Sequence, residues 1–127
     1  MSPLDELLSI VARLRPPDGC SWDRAQTFES VRSDFLEEVF EFLDGVDAKD
    51  PVSVKEELGD LFFHLAFYAQ LAREQGWCDA EAALRGVCEK LVARHPHVFE
   101  RREGEDDLDE DEVLRRWEAR KQQENER

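Results

Sequence analysis

The sequence predicts an all-α protein, and three observations carry that prediction. Apolar residues recur at helical spacing through most of the chain, and β-branched runs are few beside five Pro and six Gly. Two long apolar stretches also carry acids at i and i+3, which places each pair on one helix face a turn apart. At 127 residues, one domain with a sizeable core is expected.

Leu4, Leu7, Leu8, Ile10, Val11 and Leu14 predict an amphipathic helix over about 4–15, ended by Pro16-Pro17. Asp18-Gly19-Cys20-Ser21-Trp22-Asp23 reads as a loop, with Trp22 a core plug rather than a stacking platform. Thr27 is the expected N-cap of a helix over about 28–44. Gly45-Val46-Asp47-Ala48-Lys49-Asp50-Pro51 has turn composition. Asp50-Pro51 then opens a second long helix that reaches Gln75 and stops at Gly76, with Ser53-x-x-Glu56 as a competing capping box. Asp79 caps a third helix whose buried stripe is Ala83, Leu84, Val87, Leu91 and Val92, and Pro96 ends it. Acids dominate from Glu103 to Glu112, a solvated linker. A last helix from about Glu110 to Glu124 has Val113, Leu114 and Trp117 as its only apolar face. The expected organisation is a helical domain over 1–99, an acidic linker over 100–110 and a C-terminal helix over 111–127.

Charge and cysteine usage narrow the function classes. A net charge of −14 argues against binding a nucleic-acid backbone, which needs clustered Lys and Arg. It leaves room for a free nucleotide accompanied by divalent metal. The most apolar run, Leu61 to Ala72, is interrupted by His64 and Gln70 and falls short of the ~20 apolar residues of a membrane span. The acidic start lacks the basic region of a signal peptide, so a soluble cytoplasmic protein is expected. Cys20, Cys78 and Cys88 lack C-x-x-C spacing and read as small buried thiols in a reducing compartment; zinc ligation by them with His64, His95 and His97 is not supported by spacing.

The chemistry lies in the two long helices. Glu38 and Glu41 on one, and Glu57 and Asp60 on the other, stand almost equally far from the intervening turn. An antiparallel hairpin therefore brings both pairs to the same height. Facing carboxylates with Phe, Leu and Val on either side repel unless a cation sits between them. All-oxygen ligation favours Mg²⁺, or Mn²⁺, over zinc. A di-iron bundle wants Glu-x-x-His, whereas the pairs here are Glu-x-x-Glu and Glu-x-x-Asp. His64, four residues after Asp60, reads as a neighbour of the ligands or a core residue. Gly59 costs its helix about 1 kcal/mol against Ala, which suggests close approach of another helix or of ligand. Both helices are apolar round most of their circumference, more than one hairpin covers. A symmetric homodimer, or a dimer of dimers, would supply the second hairpin of a four-helix core.

Leu36-Glu37-Glu38-Val39-Phe40-Glu41 followed by Glu57-Leu58-Gly59-Asp60 resembles the E-E-x-x-E…E-x-x-D signature of MazG nucleoside triphosphate pyrophosphohydrolases. Arg13-Leu14-Arg15, Gly19-Cys20-Ser21-Trp22-Asp23, Gln26-Thr27, Glu89-Lys90-Leu91, Arg94-His95-Pro96-His97-Val98-Phe99 and Arg116-Trp117-Glu118 resemble MazG segments in order, with Ser21 where the family usually has Pro. The segments are most similar to the first half of longer, two-repeat members, making this a single-repeat form. The resemblance implies dimers with four-helix active sites around Mg²⁺. It also implies hydrolysis of a (deoxy)nucleoside triphosphate to monophosphate and pyrophosphate, a nucleotide-pool house-cleaning reaction. Glu38, Glu41, Glu57 and Asp60 would then hold metal, while Lys90, Arg94, Trp117 and Lys121 would contact substrate. Glu37 or Glu56, beside the ligands on a turned face, would accept the proton of the attacking water. On residue type alone, Lys90, Arg94 and Lys121 read equally well as surface charge, and Trp117 as an anchor for the last helix. The alternative function is a non-catalytic helical dimer that binds a nucleotide or a protein.

Overall fold

A computed structural model describes residues 1–104 and 106–125, and all regular structure among them is helical, as predicted. The helices are α1 (Pro3–Leu14), α2 (Ser21–Arg24), α3 (Arg32–Asp47), α4 (Pro51–Glu74), α5 (Ala80–Arg94), α6 (Pro96–Phe99) and α7 (Glu110–Asn125). Among the described residues, no helix is long and apolar enough to cross a membrane. The chain divides into two compact units, Met1–Ala80 and one beginning at Glu81.

In the first unit, α1 opens with a reciprocal cap. The Ser2 hydroxyl accepts from the Asp5 N–H at 3.2 Å, and the Asp5 carboxylate accepts from the Ser2 N–H at 3.3 Å. The loop expected after Pro16-Pro17 contains the single turn α2. Trp22, expected as a core plug, is 59% exposed there, because α2 turns its buried side toward Asp23 instead. The α3 helix begins at Arg32, four residues later than the expected Phe28. Thr27 still makes the reciprocal bonds of a cap: its N–H donates to the Ser30 hydroxyl at 2.7 Å and the Ser30 N–H to the Thr27 hydroxyl at 3.1 Å. A turn over 28–31 follows this cap before regular helix begins.

At its other end α3 runs through Gly45 to Asp47, so the connection to α4 is shorter than composition suggested, with Lys49 at φ 53°. Gly45 serves close packing rather than a turn. A Cβ there would lie 2.8 Å from Ser53 Oγ and 3.3 Å from Ser53 Cβ, across the hairpin. Gly45→Val is therefore expected to push α3 off α4 and to lower stability by about 1–3 kcal/mol, read as a lower midpoint in urea. The start of α4 is as anticipated: the Asp50 carboxylate accepts from the N–H groups of Val52 and Ser53 at 3.2 and 3.4 Å, and Pro51 is the first helical residue. The helix gives way after Gln75 to Gly76 at φ 74°, a left-handed conformation that glycine adopts at no steric cost.

The core of this unit is Val11, Val31, Ala66, Phe67 and Leu71, with Leu7, Leu8, Phe28, Phe63 and Tyr68 packed on it. It lies where α1 crosses the C-terminal half of α4. Arg15 ties the surrounding segments together. Its guanidinium donates to the carbonyls of Asp23 and Gln26 at 2.6 and 2.9 Å, and to both carboxylate oxygens of Glu74 at 2.7 and 2.9 Å, while lying over the Phe67 ring. Glu74 is thus engaged across 59 residues of chain.

In the second unit α5 ends at Arg94, and Pro96, which lacks a donor, opens the single turn α6. The stripe expected to be buried on α5 is not: Leu84, Val87, Leu91 and Val92 are between 43 and 49% exposed. No side chain of α5 or α7 is buried, because highly charged α7 offers little apolar surface. The thiols also depart from expectation, with Cys20 half-buried and Cys78 and Cys88 exposed.

Candidate functional site

The α3–α4 hairpin gathers three of the four predicted acids. Glu38, Glu41 and Glu57 each offer a carboxylate oxygen, and these oxygens lie within 4.8 Å of one another. Glu38 is only 9% exposed, Glu57 is half-buried and Glu41 is open to solvent. Glu38 Oε1 and Glu57 Oε2 are buried with no hydrogen-bond partner. Leaving a buried polar atom unsatisfied costs about 1–3 kcal/mol, and two like charges at this separation repel by about 3.5 kcal/mol at an effective dielectric of 20.

The Glu38 carboxyl responds as such crowding requires. Its pKa rises from the ordinary 4.5 to about 8, first through burial, then through hydrogen bonding with Glu57 and Glu41, and last through the charges of Glu57 and Asp60. A proton relieves the crowding in the protein alone. A divalent cation would relieve it better, because it satisfies both orphaned oxygens and all three charges. The donor set is all oxygen and suits a hard cation. Among the described residues this is the only group of three or more His, Cys, Asp or Glu placed to share an ion, so neither a zinc nor a Glu-x-x-His arrangement accompanies it.

Asp60 stands outside the three-oxygen group and is exposed, although its charge still acts on Glu38. Glu37 and Glu56 are exposed on α3 and α4. His64 is half-buried, edge-on to Phe35 at 5.9 Å, and burial holds its pKa below the ordinary value against the opposing charges of Asp34 and Asp60. Asp34 is the neighbour the sequence reading passed over. It lies N-terminal to the signature acids, and its i, i+4 spacing to Glu38 is the signal that marks it.

In the second unit three of the four predicted substrate residues, Arg94, Trp117 and Lys121, come together, and Lys90 is not among them. The Arg94 guanidinium lies 5.4 Å from the Trp117 centroid, and Lys121 Nζ lies 4.9 Å from the same centroid. Arg94 also donates to the Glu124 carboxylate at 2.6 and 3.2 Å. That pairing, with the charges of Lys90 and Arg120 behind it, holds the Glu124 carboxyl below its usual range. Glu124 was not foreseen; an acid thirty residues beyond Arg94 carries no local signal.

Comparison with known proteins agrees with this geometry. The model of the MazG nucleotide pyrophosphohydrolase domain matches residues 26–99, which includes the three clustered acids. The nucleoside triphosphate pyrophosphohydrolase/pyrophosphatase MazG of Thermotoga maritima is 47% identical over 95 residues, covering 75% of this chain and 37% of that protein. The nucleoside triphosphate pyrophosphohydrolase of Escherichia coli K12 is 43% identical over 125 residues, covering 98% of this chain and 46% of that protein. The chain thus spans less than half the length of these curated relatives. The crystal structure of a mazG-related protein from Thermotoga maritima superposes with a TM-score of 0.76 at 28% identity, over 93% of this chain and 98% of that one. A helical hairpin bearing facing acids, a family match across the whole of that hairpin, and relatives similar over nearly the whole length together place the chain in the MazG nucleotide pyrophosphohydrolase domain family.

Proposed function

We propose that this chain hydrolyses (deoxy)nucleoside triphosphates to monophosphate and pyrophosphate with Mg²⁺, or Mn²⁺ in its place, as a cytoplasmic house-cleaning activity on the nucleotide pool. The observation that carries the reading is the pair of buried, unpartnered oxygens on Glu38 and Glu57 beside Glu41. The names of the relatives support the reaction class.

Glu38, Glu41 and Glu57 would hold the ion, with Asp60, one turn beyond Glu57, as the fourth acid. When bound, the ion supplies Lewis-acid polarisation of phosphoryl oxygens and an acidified water. Water oxygen adds to the α-phosphorus as the α–β bridge bond breaks, and pyrophosphate leaves. Glu37 or Glu56, exposed beside the acids, takes the proton of that water. Lys90, Arg94 and Lys121 offset phosphate charge, and Trp117 stacks on the base.

A second copy of the chain belongs in this reading. Leu36, Phe40 and Leu43 on α3, and Leu58, Phe62 and Leu65 on α4, follow i, i+4, i+7 spacing and are 41 to 65% exposed. Burying their exposed halves is worth about 1 kcal/mol each, a total comparable to the lower range of association costs. Both stripes on one unit fit a self-complementary interface, and with it a homodimer or dimer of dimers. Phe40→Asp is expected to yield a monomer by sedimentation; a wild-type chain that already sediments as a monomer would count against the dimer.

The activity is tested by measuring pyrophosphate release across a nucleotide panel, with and without Mg²⁺. Release that needs Mg²⁺ and disappears in Glu38→Ala and Asp60→Ala supports the proposal. Nucleotide binding without turnover would replace it with the non-catalytic module.

A further inference from the structure

The second unit contains a cleft of about 260 Å³ lined by Arg94, Pro96, Arg116, Ala119, Arg120 and Gln123. Half of this lining is arginine and none of it is acidic, in a chain whose net charge is −14. The volume lies below the roughly 300–1,000 Å³ of sites that enclose whole drug-sized ligands, so it suits a short anion rather than a nucleoside.

Two of the three guanidinium groups already hold carboxylates. Arg116 pairs with Glu112 at 2.7 Å, and its side chain is 54% exposed, so that pair is weak and easily exchanged. Arg94 pairs with Glu124 at 2.6 Å, and its side chain is only 15% exposed. Arg120 is half-buried and makes no hydrogen bond or ion pair among the described residues, although its charge acts on Glu124. A carboxylate presents to a guanidinium the same two-oxygen edge that a phosphate does. Glu124 therefore occupies on Arg94 the place a phosphate oxygen would take.

We infer that the Arg94–Arg116–Arg120 cleft binds a phosphate-bearing anion, and that Glu124 is its built-in competitor. The inference extends the proposed substrate contacts to Arg116, Arg120 and Glu124, and rests on that reading only through Arg94. On entry the anion displaces Glu124, which swings to solvent, and takes over its interactions with Arg94 and Arg120.

Calorimetric titration of the metal-free 127-residue chain with inorganic triphosphate tests this. One saturable site is expected, weakened about tenfold or more by Arg120→Gln and by Arg116→Gln, the worth of one charge-assisted hydrogen bond. Glu124→Gln keeps the shape of the side chain but removes its charge, and is expected to tighten binding about tenfold. Arg85→Gln, which alters an exposed arginine paired with Glu81 elsewhere on α5, is expected to leave affinity unchanged. The inference is overturned if Glu124→Gln leaves the affinity as it was, if Arg85→Gln weakens binding as much as Arg120→Gln, or if neither wild type nor Glu124→Gln binds. Loss of pyrophosphate release with this binding pattern intact would sink the hydrolase reading alone. Turnover without the pattern would sink the cleft alone.

Discussion

Glu38→Gln is expected to stabilise the metal-free protein while abolishing its response to Mg²⁺ and lowering pyrophosphate release by about 10³-fold, on the order of 4 kcal/mol. The direction follows from linkage. The folded-state pKa of Glu38 is raised from 4.5 to about 8, so the contribution of its protonated form is fully present below 4.5 and is lost as pH rises through about 8. Without divalent cations, wild-type stability should therefore fall across that interval, and the variant, which cannot ionise at this position, should fall less. Added Mg²⁺ should reverse the loss in the wild type alone, by about 2.7 kcal/mol at a concentration one hundred times its dissociation constant. Thermal melts across pH, with chelator and with Mg²⁺, read all three effects. Equal slopes for the two proteins, or equal rescue by Mg²⁺, would remove Glu38 from the site.

Arg15→Ala should cost about 2–4 kcal/mol, the largest loss expected from a change outside the acid cluster. The substitution removes a donor from the carbonyls of Asp23 and Gln26, leaves the Glu74 carboxylate to the Gln70 amide, and uncovers Phe67. Because the Arg15 side chain is only 12% exposed and that of Glu74 35%, the pair is shielded more than a surface ion pair but less than a core one, and the estimate sits between those limits. Arg15→Lys should recover less than half of the loss, since one ammonium cannot reproduce the planar fork that reaches all these acceptors. The Glu74 carboxyl is held below its ordinary range chiefly by its hydrogen bond from Arg15. Its share of stability is thus present above the ordinary 4.5 and is lost as pH falls through the depressed value. Urea denaturation of the wild type, Arg15→Ala and Arg15→Lys checks the ranking; a midpoint unchanged in Arg15→Ala would show that the latch contributes nothing.

What could be read without coordinates was whatever depends on neighbours a few residues away. Asp50-Pro51 opens α4 and Gly76 follows its end because caps and left-handed glycines act within one turn. That the acids of each pair share one helix face was legible for the same reason, because i and i+3 spacing sets it. Local rules failed where two of them competed. Thr27 makes the reciprocal bonds of a cap with Ser30, yet a turn over 28–31 intervenes and regular helix begins only at Arg32. Gly45 reads as a turn residue, yet α3 continues through it because its missing side chain admits Ser53.

Only the tertiary structure decided which acids meet. Glu38, Glu41 and Glu57 converge while Asp60, on the same spacing argument, stays outside, since convergence depends on the rotation and separation of α3 against α4. The engagement of Glu74 by Arg15, 59 residues away, and of Glu124 by Arg94, 30 residues away, likewise has no sequence counterpart. Helix content and face polarity follow from the chain's local chemistry, whereas long-range pairing and exposure follow from how its elements pack, which no short window of residues encodes.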